Sequence, residues 1–257
     1  MPILFASFAK RVGGTKAGCI ANQSAHYNED VASSVSSSPV TIPCKGVLFD
    51  MDGILISSLG SVERSWSKWA RMRNIDPEYA LSFIHGRRAI DSVRVLRPDL
   101  DADAELKILE DFEIEDKDDL VVLPGVCDLI DRLRRDRWTV VTSATERLAR
   151  VRLAAGKIPV PARLITAETV HEGKPSPAPY LAGATLLGLA PQDCVVFEDS
   201  ASGVTAGHAA GCTVIATTFS HPTERLEEAD YIVPELIGVT ATTAGDAIEL
   251  RFLPLVR

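Results

Sequence analysis

The chain has 257 residues, a formal net charge of −8, 46% hydrophobic and 24% charged residues. That balance excludes wholesale disorder, and the length suits one large domain or two modest ones. No stretch approaches the roughly 18 consecutive apolar residues of a membrane-spanning helix, and the acidic charge argues against nucleic acid or an anionic membrane as the main partner.

Residues 1–43 differ from everything after them. Lys10, Arg11 and Lys16 stand in the first part with no acid nearby, and the segment from Val31 to Pro39 is a serine-rich linker without helical or strand period. An organelle-targeting peptide and an extension with no role in the fold both remain open, the second being preferred. A flexible extension over 1–43 is therefore expected, with order beginning at Lys45. The cysteines, Cys19, Cys44, Cys127, Cys194 and Cys212, form no C-x-x-C pair and read as buried, inert thiols in a reducing compartment, so a cytoplasmic location is expected.

From Lys45 onward, short apolar runs recur at 46–50, 138–143, 163–166, 194–198 and 212–216, with a weaker one at 231–233. Continuous apolarity over so few residues predicts strands buried on both faces of a parallel sheet. Helical patterning at 125–136, 145–155, 178–187 and 201–210 alternates with them, which predicts a doubly wound, Rossmann-like α/β sheet. One interval breaks the alternation. About ninety residues separate the first two runs, where a crossover unit needs about thirty. The excess is helically patterned, with Trp66 and Trp69 at i, i+3 reading as its core, and Pro124-Gly125 marks the return. The expected organisation is an α/β core over 44–56 and 121–257, interrupted by a small α-helical cap at 57–120. The acid-rich stretch from Asp99 to Asp119 reads as a solvated face.

In open α/β sheets, ligands sit at the carboxyl ends of the strands. Those ends carry Asp50 and Asp52, then Thr142-Ser143, then Glu198-Asp199-Ser200, with Gly173-Lys174-Pro175 ahead of the fourth run. Crowded acids repel one another unless a hard cation such as Mg²⁺ neutralises them, and a lysine, a hydroxyl and backbone N–H groups suit phosphate oxygens. One carboxylate can attack phosphorus while a neighbour two residues on moves protons.

Asp50-Met51-Asp52-Gly53-Ile54-Leu55 resembles the first motif of the haloacid dehalogenase superfamily, D-x-D-G-T-L. Ser143, Gly173-Lys174-Pro175 and Phe197-Glu198-Asp199-Ser200 match its second, third and fourth motifs in order, over about 45–235. The stretches at 85–91, 142–145 and 216–219 resemble the sugar- and polyol-phosphate phosphatase branch.

The resemblance implies a Mg²⁺-dependent phosphatase of small phosphorylated sugars or polyols, working through an aspartyl-phosphate. Asp50 is implied as nucleophile and metal ligand, and Asp52 as general acid/base, its backbone carbonyl also touching the metal. Asp199 is implied as metal ligand, with Glu198 assisting directly or through water. Ser143, Ala144 and Lys174 are implied to hold the phosphoryl oxygens, and His85, Arg87 and Arg88 are candidates for substrate contact from the cap. Ile54 departs from the motif's threonine. A sugar phosphomutase and a non-catalytic phosphate- or protein-binding relative are the alternatives. The expected partner is a small phosphorylated molecule, with no nucleic acid or membrane, for a monomer or small homo-oligomer.

Overall fold

The computed structural model describes residues 35–84 and 87–256. At its centre is a parallel sheet of five strands, ordered β5 (Trp138–Val140), β2 (Gly46–Phe49), β6 (Cys194–Glu198), β7 (Thr213–Thr217) and β8 (Tyr231–Val233). The two faces of the strands feed two separate apolar clusters. Val47 and Phe49 of β2, Val195 and Phe197 of β6 and Ile215 of β7 point into one. Leu48, Cys194, Val196, Val214 and Ala216 point into the other. This period-two division explains the unbroken apolar runs: each face is covered, so no residue needs to be polar. Phe49 stacks on Phe197 with centroids 5.3 Å apart and meets Trp138 edge-on at 5.9 Å.

Helices α5 (Val126–Ile130), α6 (Glu146–Ala155), α7 (Ala178–Leu187) and α8 (Ala201–Ala209) follow the strands as expected. Thr145 caps α6 by accepting from Leu148 N, and Ser200 caps α8 by accepting from Gly203 N. The predicted helix at 125–136 is shorter than expected, and the predicted strand at 163–166 reduces to one bridge between Val141 and Ile165. Its neighbour β5 is only three residues long, and Pro159 and Pro161 lead into the run, so little ladder can form.

Two corrections concern the chain ends. Strand β1 (Val40–Cys44) begins inside the segment expected to be flexible through residue 43. It pairs antiparallel with β10 (Ala247–Phe252), which pairs with β9 (Thr240–Ala244) across the Gly245-Asp246 turn. Gly245 has φ +62°, the conformation that two-residue hairpins require. The linker's tail is also engaged: Ser36 N donates to Pro254 O at 2.8 Å. Residues 1–34, with the candidate targeting stretch and Cys19, lie outside the described residues. Cys44, Cys194 and Cys212 are buried free thiols, pushed up to about 12, 11 and 12 chiefly by burial. Cys127 is half-buried.

Where the chain leaves the sheet and where it returns, β3 (Ile56–Ser57) and β4 (Val121–Val122) pair antiparallel. Between them run α1 (Leu59–Met72), α2 (Pro77–Leu81), α3 (Ala89–Leu96) and α4 (Ala102–Glu115), with an apolar cluster of their own built on Trp66, Trp69, Val93 and Leu109. Trp66 and Trp69 are buried and meet at 5.5 Å. The acid-rich stretch is only partly a solvated face. Glu105 is buried, accepting from Trp69 Nε1 at 2.7 Å and from Arg73, and Glu113 is buried too. No helix among the described residues is long and apolar enough to cross a membrane.

Candidate active site

The carboxyl ends of β2, β5 and β6 meet at one edge of the sheet. Asp50 follows β2 directly, its N–H fixed on Phe197 O at 2.9 Å, and its side chain is nearly buried. Lys174 Nζ lies 2.8 Å from Asp50 Oδ1 and 2.6 Å from Glu198 Oε1. Glu198 has donors on both oxygens. Tyr180 Oη also donates to Oε1 at 2.8 Å, while Asp199 N, Ser200 N and Ser200 Oγ donate to Oε2 at 2.9, 3.0 and 3.0 Å. Gly203 lets this carboxylate lie against α8; a Cβ there would sit 1.7 Å from Glu198 Oε1. Asp199 accepts from Ser220 Oγ, and its carbonyl meets His221 Nδ1 at 3.2 Å.

Asp50, Glu198 and Asp199 each offer a carboxylate oxygen within 4.8 Å of the others. Burial pushes Asp50 up to about 7, with Lys174 opposing and Glu198 adding to the rise. Burial likewise pushes Asp199 well above the carboxylate range, with Glu198 and Asp50 reinforcing it. Burial also works against Glu198, but Lys174 and the donors around it hold its carboxyl below the usual value. One lysine therefore faces three buried carboxylates. The oxygen-only donor set and the excess negative charge fit a hard divalent cation. Since Glu198's oxygens are occupied by donors, Asp50 and Asp199 are the carboxylates best placed to hold it.

Gly53 has φ +84°, and a Cβ there would come within 1.8 Å of Asp199 Oδ2. Gly53→Ala is expected to cost about 1–3 kcal/mol through backbone strain and to displace Asp199. Its check is metal affinity by titration calorimetry beside the unfolding midpoint, and the affinity is expected to fall by more than tenfold.

The other sequence-derived residues divide. Ser143 and Ala144 line the cavity in front of Asp50, but the Ala144 N–H is taken by Thr142 Oγ1 at 3.1 Å. Asp52 lines the same cavity, and its carboxylate lies outside the acid cluster, bound to Arg152 and Ser58. Arg87 is exposed and lines the cavity. Arg88, expected as a substrate contact, is committed elsewhere. It pairs with Asp91 at 2.6 Å and donates to Val170 O and His171 O at 3.3 and 3.0 Å, tying α3 to the segment before Lys174. His85 lies outside the described residues. Ile54 is buried in the core cluster, so the hydroxyl its motif usually carries is replaced by apolar packing.

The cavity, of about 170 Å³, lies between the sheet edge and the inserted helices, with Trp66, Leu109, Glu110 and Glu113 on the helical side. Tyr180, Ser220, Arg152, Glu110 and Glu113 had no signal in the sequence. Each becomes significant only through a partner distant in the chain.

The family model for haloacid dehalogenase-like hydrolases matches residues 44–211. The chain belongs to that family. It is 45% identical over 212 residues to hexitol phosphatase A of Escherichia coli (strain K12), covering 80% of this chain and 98% of the relative. It is 34% identical over 236 residues to glycerol-1-phosphate phosphohydrolase 1 of Saccharomyces cerevisiae, covering 85% and 94%. Among solved structures, CbbY from Rhodobacter sphaeroides, in complex with xylulose-1,5-bisphosphate, superposes with a TM-score of 0.66 at 20% identity. That match covers 76% of this chain and 96% of the other, and it speaks for the fold alone.

Proposed function

We propose that this hydrolase is a Mg²⁺-dependent phosphatase of small phosphorylated polyols or sugars, with hexitol phosphates the first substrates to try. The observation that carries the reading is Asp50, fixed by Lys174 on the cavity floor, with Asp52 on the wall two residues along. The likeness to hexitol and glycerol phosphatases supports the substrate class. The helices between β3 and β4 serve as a cap that closes the cavity and excludes water.

An Asp50 oxygen attacks phosphorus as the bond to the leaving oxygen breaks. That oxygen keeps the electron pair and takes the proton of Asp52. Asp52 then removes a proton from water as the water oxygen attacks phosphorus. The Asp50–phosphorus bond breaks, returning its electron pair to the carboxylate and releasing inorganic phosphate. Lys174 neutralises the phosphoryl oxygens and orients Asp50, and Ser143 offers its hydroxyl to the same oxygens. Glu198 positions Lys174. Asp50, Asp199 and the Asp52 carbonyl would hold Mg²⁺, which supplies charge neutralisation at the phosphoryl group.

Phosphate release from hexitol, glycerol, hexose and glycolate phosphates, with and without Mg²⁺, tests the reading, with ³¹P NMR of glucose 1-phosphate run in parallel. Metal-dependent release, fastest with polyol phosphates, is expected. Isomerisation without free phosphate would establish the mutase instead.

The acid cluster also sets a pH dependence. Asp50 and Asp199 have raised values in the fold, so their contribution to stability is full below the ordinary carboxylate range. The share of Asp50 is lost as pH rises through about 7, where it ionises, and the share of Asp199 as pH rises through its own raised value. A cation bound to the ionised acids offsets that loss. The Mg²⁺-induced rise in Tm is therefore expected to be larger at pH 8 than at pH 5 by differential scanning fluorimetry; an equal or larger rise at pH 5 would contradict it.

A further inference from the structure

Arg152 belongs to none of the motifs. It sits on α6, a core helix, with its side chain only 4% exposed. Its Nη1 donates to Asp52 Oδ1 and Oδ2 at 3.0 and 3.1 Å. Its Nη2 donates to Glu113 Oε2 at 2.7 Å, on cap helix α4. One guanidinium thus joins the carboxylate next to the nucleophile to a buried carboxylate of the cap. A second tether comes from Ser58, the N-cap position of α1. Ser58 makes no side-chain bond to its own helix, the usual task of a serine there. Its Oγ donates instead to Asp52 Oδ1 at 2.7 Å. Asp52 is therefore held from two cap helices, directly through the start of α1 and through Arg152 from α4.

The chemistry of the three groups suits such a linkage. Arginine stays charged at any working pH and presents its donors in a planar fork, so it can hold two carboxylates in fixed relative positions. Arg152 and Glu113 form a buried pair, and a buried pair that loses one member leaves an uncompensated charge, so these two move together, with the half-buried Asp52 bound to the same guanidinium. If the cap lifts, Glu113 and Ser58 are carried with it, and the aim of Asp52 changes.

We infer that Arg152 is a positioning residue for Asp52, and that Glu113 extends its hold to the cap, so that cap seating and the aim of the acid/base are one event. The inference rests on the role given to Asp52 above. Arg152 acts through Asp52 and leaves the attack by Asp50 untouched. Its loss should therefore be felt where the leaving oxygen needs a proton and spared where it does not.

The test compares kcat/KM for a hexitol phosphate, whose alkoxide leaves only when protonated, with that for p-nitrophenyl phosphate, whose phenolate leaves unaided. This ratio reports the step up to loss of the leaving group, and turnover of the aryl substrate also reports that a variant has folded. Asp52→Asn, as the reference, should lose about 100-fold more with the alkyl than with the aryl substrate, the size of a general-acid contribution. Arg152→Ala should show the same bias at about tenfold, with Arg152→Lys recovering part of it. Glu113→Gln should show a smaller bias and add nothing once Arg152 is alanine. Equal losses on both substrates for Arg152→Ala, with the Asp52→Asn bias intact, would overturn the inference and leave Arg152 a structural residue. Additive losses for Glu113→Gln on the Arg152→Ala background would overturn the link to the cap. Absence of bias in Asp52→Asn itself would instead overturn the role of Asp52, and with it everything built on that role.

Discussion

Asp50→Asn is expected to lower kcat by at least about 10⁴-fold while the protein stays folded, because the proposed covalent nucleophile is lost and its neighbours cannot replace it. The amide keeps the shape of the carboxylate but cannot form the acyl phosphate. The structure adds an unusual expectation for stability. Asp50 is buried with Glu198 and Asp199, and burial together with Glu198 pushes it up to about 7 against the pull of Lys174. Ionising it above neutral pH costs the metal-free fold, and asparagine carries no such cost. In the absence of Mg²⁺ at pH 8, the variant's Tm should therefore equal or exceed that of the parent. Phosphate release and scanning fluorimetry on the same preparations separate the two effects. A variant that unfolds early would show that Asp50 is needed for more than chemistry.

Lys174→Ala should be the most damaging single change to stability. The ammonium group is the cation that bridges Asp50 and Glu198, and its side chain is only 3% exposed. Its removal leaves two buried carboxylates facing each other, a situation that costs about 3–5 kcal/mol when one member of a buried pair is deleted. The deficit should grow with pH. The carboxylates rise further without the lysine, so the variant loses least where they are protonated and most where they are ionised. Urea unfolding in chelator at pH 5 and pH 8 measures this difference. Activity should fall by about 10²–10³-fold as well, since phosphoryl oxygens lose a preorganised charge. Lys174→Arg tests geometry separately from charge: the larger guanidinium must find room beside Tyr180, over whose ring the lysine nitrogen sits at 5.3 Å.

The sheet and the floor of the site were legible in the sequence because both are written locally. Apolar runs such as 46–50 and 194–198 are strands covered on both faces, and Asp50, Glu198 and Asp199 stand at their ends, where a parallel sheet gathers ligands. The C-terminal hairpin could have been read as well. Residues Ala247–Phe252 alternate between exposed and buried, and Gly245-Asp246 is a hairpin turn. Its edge partner β1 was hidden by the serine-rich segment in front of it, where composition says nothing about pairing 200 residues away. The upper half of the site was illegible for a related reason. Asp52, Glu113 and Arg152 come from three segments, and Glu113 sits in a run of acids that looks like a solvated face. Arg88 misled in the opposite sense. With His85 and Arg87 it was a candidate for substrate contact from the cap, yet Asp91 three residues on, with two backbone carbonyls, occupies its guanidinium.

The central claim is that a phosphoryl group passes through Asp50 on its way to water. Rapid acid quench of the full-length protein during turnover of a hexitol phosphate with Mg²⁺, followed by peptide mass spectrometry, tests it most directly. The account predicts a phosphorylated peptide with the group on Asp50, increased in Asp52→Asn and absent from Asp50→Asn. Steady phosphate release with no phosphorylated protein in either the parent or Asp52→Asn, or a phosphoryl group on any other residue, would contradict it.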